Sequence, residues 1–246
     1  MDTRSEVRVL TLFEAFAEKK RPLTLTELAE SMGIAASSCF NLVRAVEDKG
    51  YLYAAKARGA LYPTRRIFDV ARSIFASDVV SPHIRDRMET LRDEVGETTC
   101  LAYRRGQEVV YLEVQESLHS IRFSVKVGET RDLHSNSMGK AILGSLPDAE
   151  RARLLKTLSY RKHSAKTLTS PAALERDIAL GRERGWYSNF GETAPDALAA
   201  AVPVRIGGET YGLAFVGPRY RVEPHLERSV KSLTRAAAEI SAIPSS

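Results

Sequence analysis

The stretch from Leu23 to Leu52, LTLTELAESMGIAASSCFNLVRAVEDKGYL, limits what this chain can fold into more than any other. Thr24 and Glu27 stand in the S/T-x-x-E relation of a capping box, in which the hydroxyl takes one orphan amide and the carboxylate another. Leu25 and Leu28 weight one side of a helix predicted to end near Met32-Gly33, where Gly suits a left-handed residue beyond the last turn. A second helix is predicted from about Ala36 to Lys49, with Leu42, Val43 and Val46 on its inner side and Gly50 as its stop. Ser37, Ser38, Asn41 and Arg44 then face outward, and such groups contact phosphates or hydrogen-bond base edges in a major groove. An ordinary helix pair with a solvated polar face would show the same spacing.

The next residues narrow the choice. Tyr51-Leu52-Tyr53 and Ala60-Leu61-Tyr62 read as short strands around the basic turn Lys56-Ala57-Arg58-Gly59. A hairpin in this place is a wing, with Lys56 and Arg58 at its tip for the phosphate backbone. A solvated basic turn is the alternative. Helix, turn, helix and basic hairpin together are far more specific than any one of them.

At 246 residues the chain has room for one large domain or two small ones. Its hydrophobic share of 43% and charged share of 27% are those of a soluble globular protein. A net charge of +5 permits an anionic partner without demanding one. Met1-Asp2-Thr3-Arg4 leads into an amphipathic helix, so no signal peptide is expected, and the apolar runs are too short for a bilayer. Cys39 and Cys100 make neither a disulfide framework nor a metal cluster. A cytoplasmic protein without metal, cofactor or membrane partner is the expectation.

In chain order, a first helix is predicted from Ser5 to Glu18 with Val9, Leu12, Phe13 and Phe16 as its apolar face. Pro63-Thr64 opens another, striped by Ile67, Val70, Ala71, Ile74 and Phe75, a surface suited to its own domain or to a second copy of the chain. A boundary falls near Ser77 to Pro82, where Ser81 and Pro82 start a helix that buries Ile84, Met88, Leu91 and Val95. The period then switches to two. Strands are predicted at Thr98–Tyr103, Val109–Glu113, Ile121–Val127, Ala199–Arg205 and Tyr211–Val216. Helices are predicted at Ser137–Gly144, Ala149–Thr157, Pro171–Arg184 and Glu223–Ile240. The second domain is therefore α+β, a mainly antiparallel sheet with packed helices.

This order of elements, with several local motifs, resembles the IclR family of bacterial transcriptional regulators over nearly the whole chain. The matching stretches are Leu23 to Ala29, Gly50-Tyr51-Leu52, Gly96-Glu97-Thr98, Glu108 to Tyr111, Leu133 to Ala141, Glu183 to Trp186, Val202-Pro203-Val204 and Gly217-Pro218. The resemblance implies a winged helix-turn-helix over residues 1–63 and a linker helix over 64–80. A GAF-like effector-binding and oligomerisation domain would cover 81–246. It also implies homodimers or homotetramers that bind double-stranded promoter DNA under control of a small organic effector. In the family, the segment spelled here Leu133 to Lys140 closes over the ligand, with amides near Ser137 and Met138 facing it, and a helix start favours a carboxylate. Asn189, Ala199, Ala214 and Val216 stand where similar proteins line the pocket, and Phe123 and Val125 are further candidate walls. Many members carry Cys at the position of Ala199 and Ser at those of Ala214 and Val216. The replacements imply a less polar pocket, fitted to an aromatic or longer aliphatic acid. A basic residue is common at the position of Ala36 and Arg at that of Asn41, so base preference does not carry over.

Enzymatic readings are weaker. Ser137-Met138-Gly139-Lys140 fits S-x-x-K, but the companion S-D-N and K-T-G motifs are absent, and Lys140 is expected to keep a solvated head. His119, His134 and His163 lack metal spacing or an evident carboxylate partner, and His134 reads as a hydrogen-bonding loop residue. An oligomeric small-molecule sensor or enzyme whose winged domain does not read DNA is the remaining alternative.

Overall fold

The computed structural model describes residues 5–55, 59–75 and 80–243, and the chain divides into two compact units, 1–78 and 79–246. In the first, α1 (Ser5–Lys19), α2 (Leu25–Met32) and α3 (Ala36–Asp48) precede a hairpin of β1 (Leu52–Ala54) and β2 (Leu61–Pro63), and α4 (Arg66–Phe75) follows. The capping box forms: the Glu27 amide donates to Thr24 Oγ1 at 3.3 Å, and the Thr24 amide donates to the Glu27 carboxylate at 2.8 Å. Gly33 closes α2 at φ 63°. Leu12, Phe16, Leu28, Cys39, Val43, Val46 and Leu52 form the core of this unit. The hairpin pairs Tyr53 with Tyr62, and Leu23 bridges to Leu61, which stitches the hairpin to the turn before α2.

Pro63 ends β2, so α4 starts later than predicted, behind Thr64, whose hydroxyl accepts the Arg66 amide at 3.3 Å. No described residue of α4 is buried, and Phe68, Val70, Ile74 and Phe75 are exposed. The basic tip with Lys56 and Arg58 lies outside the described residues.

The second unit begins with α5 (Pro82–Val95), then β3 (Thr98–Arg105), β4 (Glu108–Gln115), β5 (Thr130–Asp132) and a 3-10 turn at Leu133–Ser135. There follow α6 (Ser137–Ser145), α7 (Asp148–Thr157), α8 (Pro171–Arg184), β6 (Tyr187–Phe190), β7 (Ala197–Ile206) and β8 (Glu209–Pro218). The short α9 (Arg219–Val222) leads to α10 (Leu226–Ser241). The six strands form one sheet in the order β5-β4-β3-β8-β7-β6, with every pairing antiparallel. This is an α+β, GAF-like arrangement.

Alternation along the strands splits the core in two, since successive side chains point to opposite faces. Cys100, Ala102, Ala199, Ala201, Ala214 and Val216 face one cluster with Met138, Ile142 and Leu143 of α6 and Leu174 and Ile178 of α8. Leu101, Leu198, Val202, Val204, Leu213 and Phe215 face another with Met88 and Leu91 of α5 and Leu233 and Ile240 of α10. The residues on the α6 side are mostly small, so that helix sits close. A methyl added at Gly212 would stand 2.5 Å from Met138 Cβ.

The strand predicted at Ile121–Val127 is not formed; the segment is irregular. Its alternation marks extended backbone, but Thr130–Asp132 takes the edge of β4, pairing Val110 with Thr130 and Glu108 with Asp132. The segment is held instead by the Thr98 hydroxyl, which donates to the Phe123 carbonyl at 2.7 Å. Phe123 and Val125 turn inward, whereas Ile121 and Val127 are exposed.

Candidate nucleic-acid interface and effector cavity

On α3, buried Cys39, Val43 and Val46 commit one side to the core, which leaves Ser37, Asn41 and Arg44 exposed and Ser38 half-buried. Ala35 at the N-cap supplies no side-chain hydrogen bond, and the first turn carries no acidic residue. The amides there are free of side-chain competition for a phosphate oxygen. Phe40, which the sequence reading did not single out, is exposed on the same helix.

A cavity lies between the sheet and the start of α6. It brings together Ser137, Met138, Asn189, Ala199, Ala214, Val216 and Phe123 from the sequence-based candidates. Val125 and Leu133 are instead in the core behind its wall. Tyr111, Arg131, Asn136 and Thr193 also line it, and the sequence reading missed all four roles. Asn136 and Tyr111 lie within quoted motifs, but nothing local shows that their side chains meet. The polar groups are largely engaged with one another. The Met138 amide, expected to be free for a ligand, donates to the Asn136 side-chain oxygen at 2.9 Å. Asn136 Nδ2 in turn donates to the Tyr111 hydroxyl at 3.2 Å, and burial pushes the Tyr111 phenol well above its usual range. Asn189 Nδ2 donates to the Ser135 carbonyl at 2.7 Å while its oxygen accepts the Glu192 amide at 2.8 Å. Arg131 is the cation among the lining residues, half-buried and 3.0 Å from Glu129.

The space within the cavity is about 40 Å³. That is room for two or three waters, against about 150 Å³ for a cavity that takes benzene. An open groove lined by Ile121, Arg122, Pro218 and Tyr220 adjoins it and shares Phe123, Ala194 and Ala197.

Behind the cavity, Lys140 departs from expectation. It is completely buried, with Nζ 2.5 Å from Glu192, 2.8 Å from Asp177 and 3.1 Å from the Ser188 carbonyl. Burial raises the Glu192 pKa despite Lys140. The pair ties α6 to the turn after β6, which carries Thr193 to the cavity. His163 does have a carboxylate partner, Asp132 at 2.6 Å. His134 is buried, stacks on His163 and bonds the Arg161 carbonyl at 3.0 Å, and burial lowers its pKa. Among the described residues no cluster could hold a metal ion and no helix is long and apolar enough to cross a membrane.

The profile of the bacterial transcriptional regulator IclR C-terminal domain matches residues 76–242, and that of the IclR helix-turn-helix domain matches 7–55. The probable transcriptional regulator SauR of Cupriavidus necator is 28% identical over 199 residues, covering 80% of this chain and 79% of SauR. The crystal structure of Thermotoga maritima IclR has a TM-score of 0.77 at 23% identity, covering 95% of this chain and 96% of that one. An IclR homologue from Microbacterium hydrocarbonoxydans, complexed with 4-hydroxybenzoate, has a TM-score of 0.71 at 24% identity, covering 96% of both chains.

Proposed function

Because the chain belongs to the IclR family of bacterial transcriptional regulators, we propose that its DNA binding is switched by an aromatic or longer aliphatic carboxylic acid held in the cavity beneath α6. The observation that carries this reading is the make-up of the cavity: one guanidinium, Arg131, at a wall otherwise dominated by Phe123, Met138, Ala199, Ala214 and Val216. Arg offers a planar fork to a carboxylate, and the apolar remainder favours a ring or chain over a small hydrophilic acid. The relative that carries 4-hydroxybenzoate supports the same class.

Two copies of the chain would place two α3 helices in successive major grooves. The apolar stripe of Ile67, Val70, Ala71, Ile74 and Phe75 on α4, with Val70, Ile74 and Phe75 exposed, supports pairing of copies. Ser37, Ser38, Asn41 and Arg44 would read the operator, with Lys56 and Arg58 of the wing on the backbone. The switch requires that the acid-bound and acid-free forms differ in affinity for DNA, since a ligand shifts an equilibrium only by its differential affinity for the two states. The alternative in which Lys140 activates Ser137 is set aside, since its ammonium is spent on Glu192 and Asp177.

The test is fluorescence anisotropy with duplexes from upstream of the gene and with random duplexes, at two salt concentrations, with and without 4-hydroxybenzoate and a panel of aryl and alkyl acids. Preferential, salt-sensitive binding that one acid class shifts is expected; operator affinity indifferent to every acid would sink the switch. Asn41→Ala and Arg44→Ala should each weaken operator binding by about 1–3 kcal/mol while leaving random-duplex binding less affected. Arg131→Met should weaken the acid by about 1.5–3 kcal/mol, the worth of a charge-assisted hydrogen bond, with operator affinity in the absence of acid unchanged. Calorimetry that found the acid bound equally well by Arg131→Met would place the carboxylate elsewhere.

A further inference from the structure

Phe40 is 47% exposed although its helix is anchored by packed neighbours on either side in sequence, Cys39 and Val43 among them. It lies outside the core cluster of its unit. At 3.6 residues per turn its side chain projects about 40° from that of Arg44 and about 60° from that of Ser37, so it borders the polar face of α3. The Arg44 guanidinium stands 5.8 Å from the ring centroid. That is within cation–π distance, so the ring and the guanidinium lie side by side on the same helix. Large apolar side chains are ordinary at a protein surface when scattered. Phe40 differs in its place, on the rim of the helix that enters the major groove. The apolar group presented there by base pairs is the thymine 5-methyl, and apolar side chains are its natural contacts.

We propose that Phe40 reads a thymine 5-methyl group in the operator, beside the position held by Arg44. The inference rests on the DNA-reading role of α3 and adds to it a base identity that hydrogen bonding alone does not supply. Covering one methyl group corresponds to about 0.8 kcal/mol, or about a fourfold change in affinity. Arg44 is not required to touch the same base. Its guanidinium lies beside the ring, so Arg44→Ala should blur the methyl preference as well as weaken binding.

The experiment uses the full chain. Duplexes bound by the wild type are selected from a randomised pool, and each thymine of the selected site is replaced singly by deoxyuridine. That change removes the methyl group and keeps every hydrogen-bonding group. The expected result is one thymine per half-site at which the wild type loses about fourfold in affinity. Phe40→Ala should lose the ratio at that position alone, and Phe40→Leu should keep part of it. Circular dichroism of the two variants should match the wild type, as befits an exposed residue. A selected site with no methyl-sensitive thymine, or a ratio that survives in Phe40→Ala, overturns the assignment of Phe40 and leaves the DNA-reading role standing. A pool from which no duplex is enriched overturns that role, and the proposal falls with it.

Discussion

Lys140→Met is expected to lower the stability of the effector-binding unit by about 3–5 kcal/mol, the cost of leaving a buried charge without its partner. Lys140 has no exposed surface, and the Glu192 side chain it meets at 2.5 Å is only 8% exposed. The Glu192 carboxylate would then sit in the core with no cation, so protonation would relieve it. Burial already raises its folded-state pKa even with Lys140 present. An acid whose folded pKa is raised stabilises below its unfolded value, and that contribution is lost as pH rises through the folded value. The deficit of Lys140→Met should therefore be smallest at acidic pH and grow as pH rises, with the wild type showing the same sign more weakly. Urea midpoints at several pH values measure this. Adding Glu192→Gln to Lys140→Met should restore part of the loss. A deficit that ignores pH, or a double variant no better than the single one, would assign the effect to lost packing instead.

Gly139→Ala should cost about 3 kcal/mol, near the upper end for overpacking, because the obstacle is backbone. A methyl at Gly139 would overlap the Leu133 carbonyl, with the carbonyl carbon 2.9 Å away. The end of a flexible side chain could swing aside, but here the 3-10 turn at Leu133–Ser135 would have to shift as a piece. The same turn accepts hydrogen bonds from Asn189 and Thr193 at the Ser135 carbonyl, so the displacement would spread to the cavity wall. Calorimetric melting should show the effector-binding unit unfolding earlier, with acid binding weakened in the same variant. An unchanged melt would mean that the Leu133–Ser135 turn yields to the added methyl at little cost.

What the sequence made legible was whatever rests on neighbours in the chain. The Thr24–Glu27 capping box, the left-handed glycine at 33 and the Ser81-Pro82 helix start all took the expected form, since each depends on contacts within a few residues. Strands β5 and β6 were missed. Thr130–Asp132 and Tyr187–Phe190 are short and partly polar, and they become strands only because β4 and β7 offer them an edge. The reverse error, at Ile121–Val127, has the same root. Alternation reports an extended backbone, whereas a strand also needs a partner. Much of the cavity was named through the family resemblance, but Arg131, Tyr111 and Thr193 come from distant segments that only the folded sheet unites. Lys140 looked like a surface lysine because its partners Asp177 and Glu192 lie far along the chain.

The division of β7 and β8 between two cores has a further consequence for how such a protein diversifies. Ala199, Ala214 and Val216 touch the cavity, while their immediate neighbours Leu198, Ala200, Leu213 and Phe215 belong to the opposite cluster. A substitution at one of the first set redraws the guest chamber and leaves the helices on the far side of the sheet undisturbed. Adjacent codons thus answer to different selective demands, one set to chemical taste and the other to structural soundness. Changes at those few small residues would recast what the chamber accepts without rebuilding the scaffold that carries them.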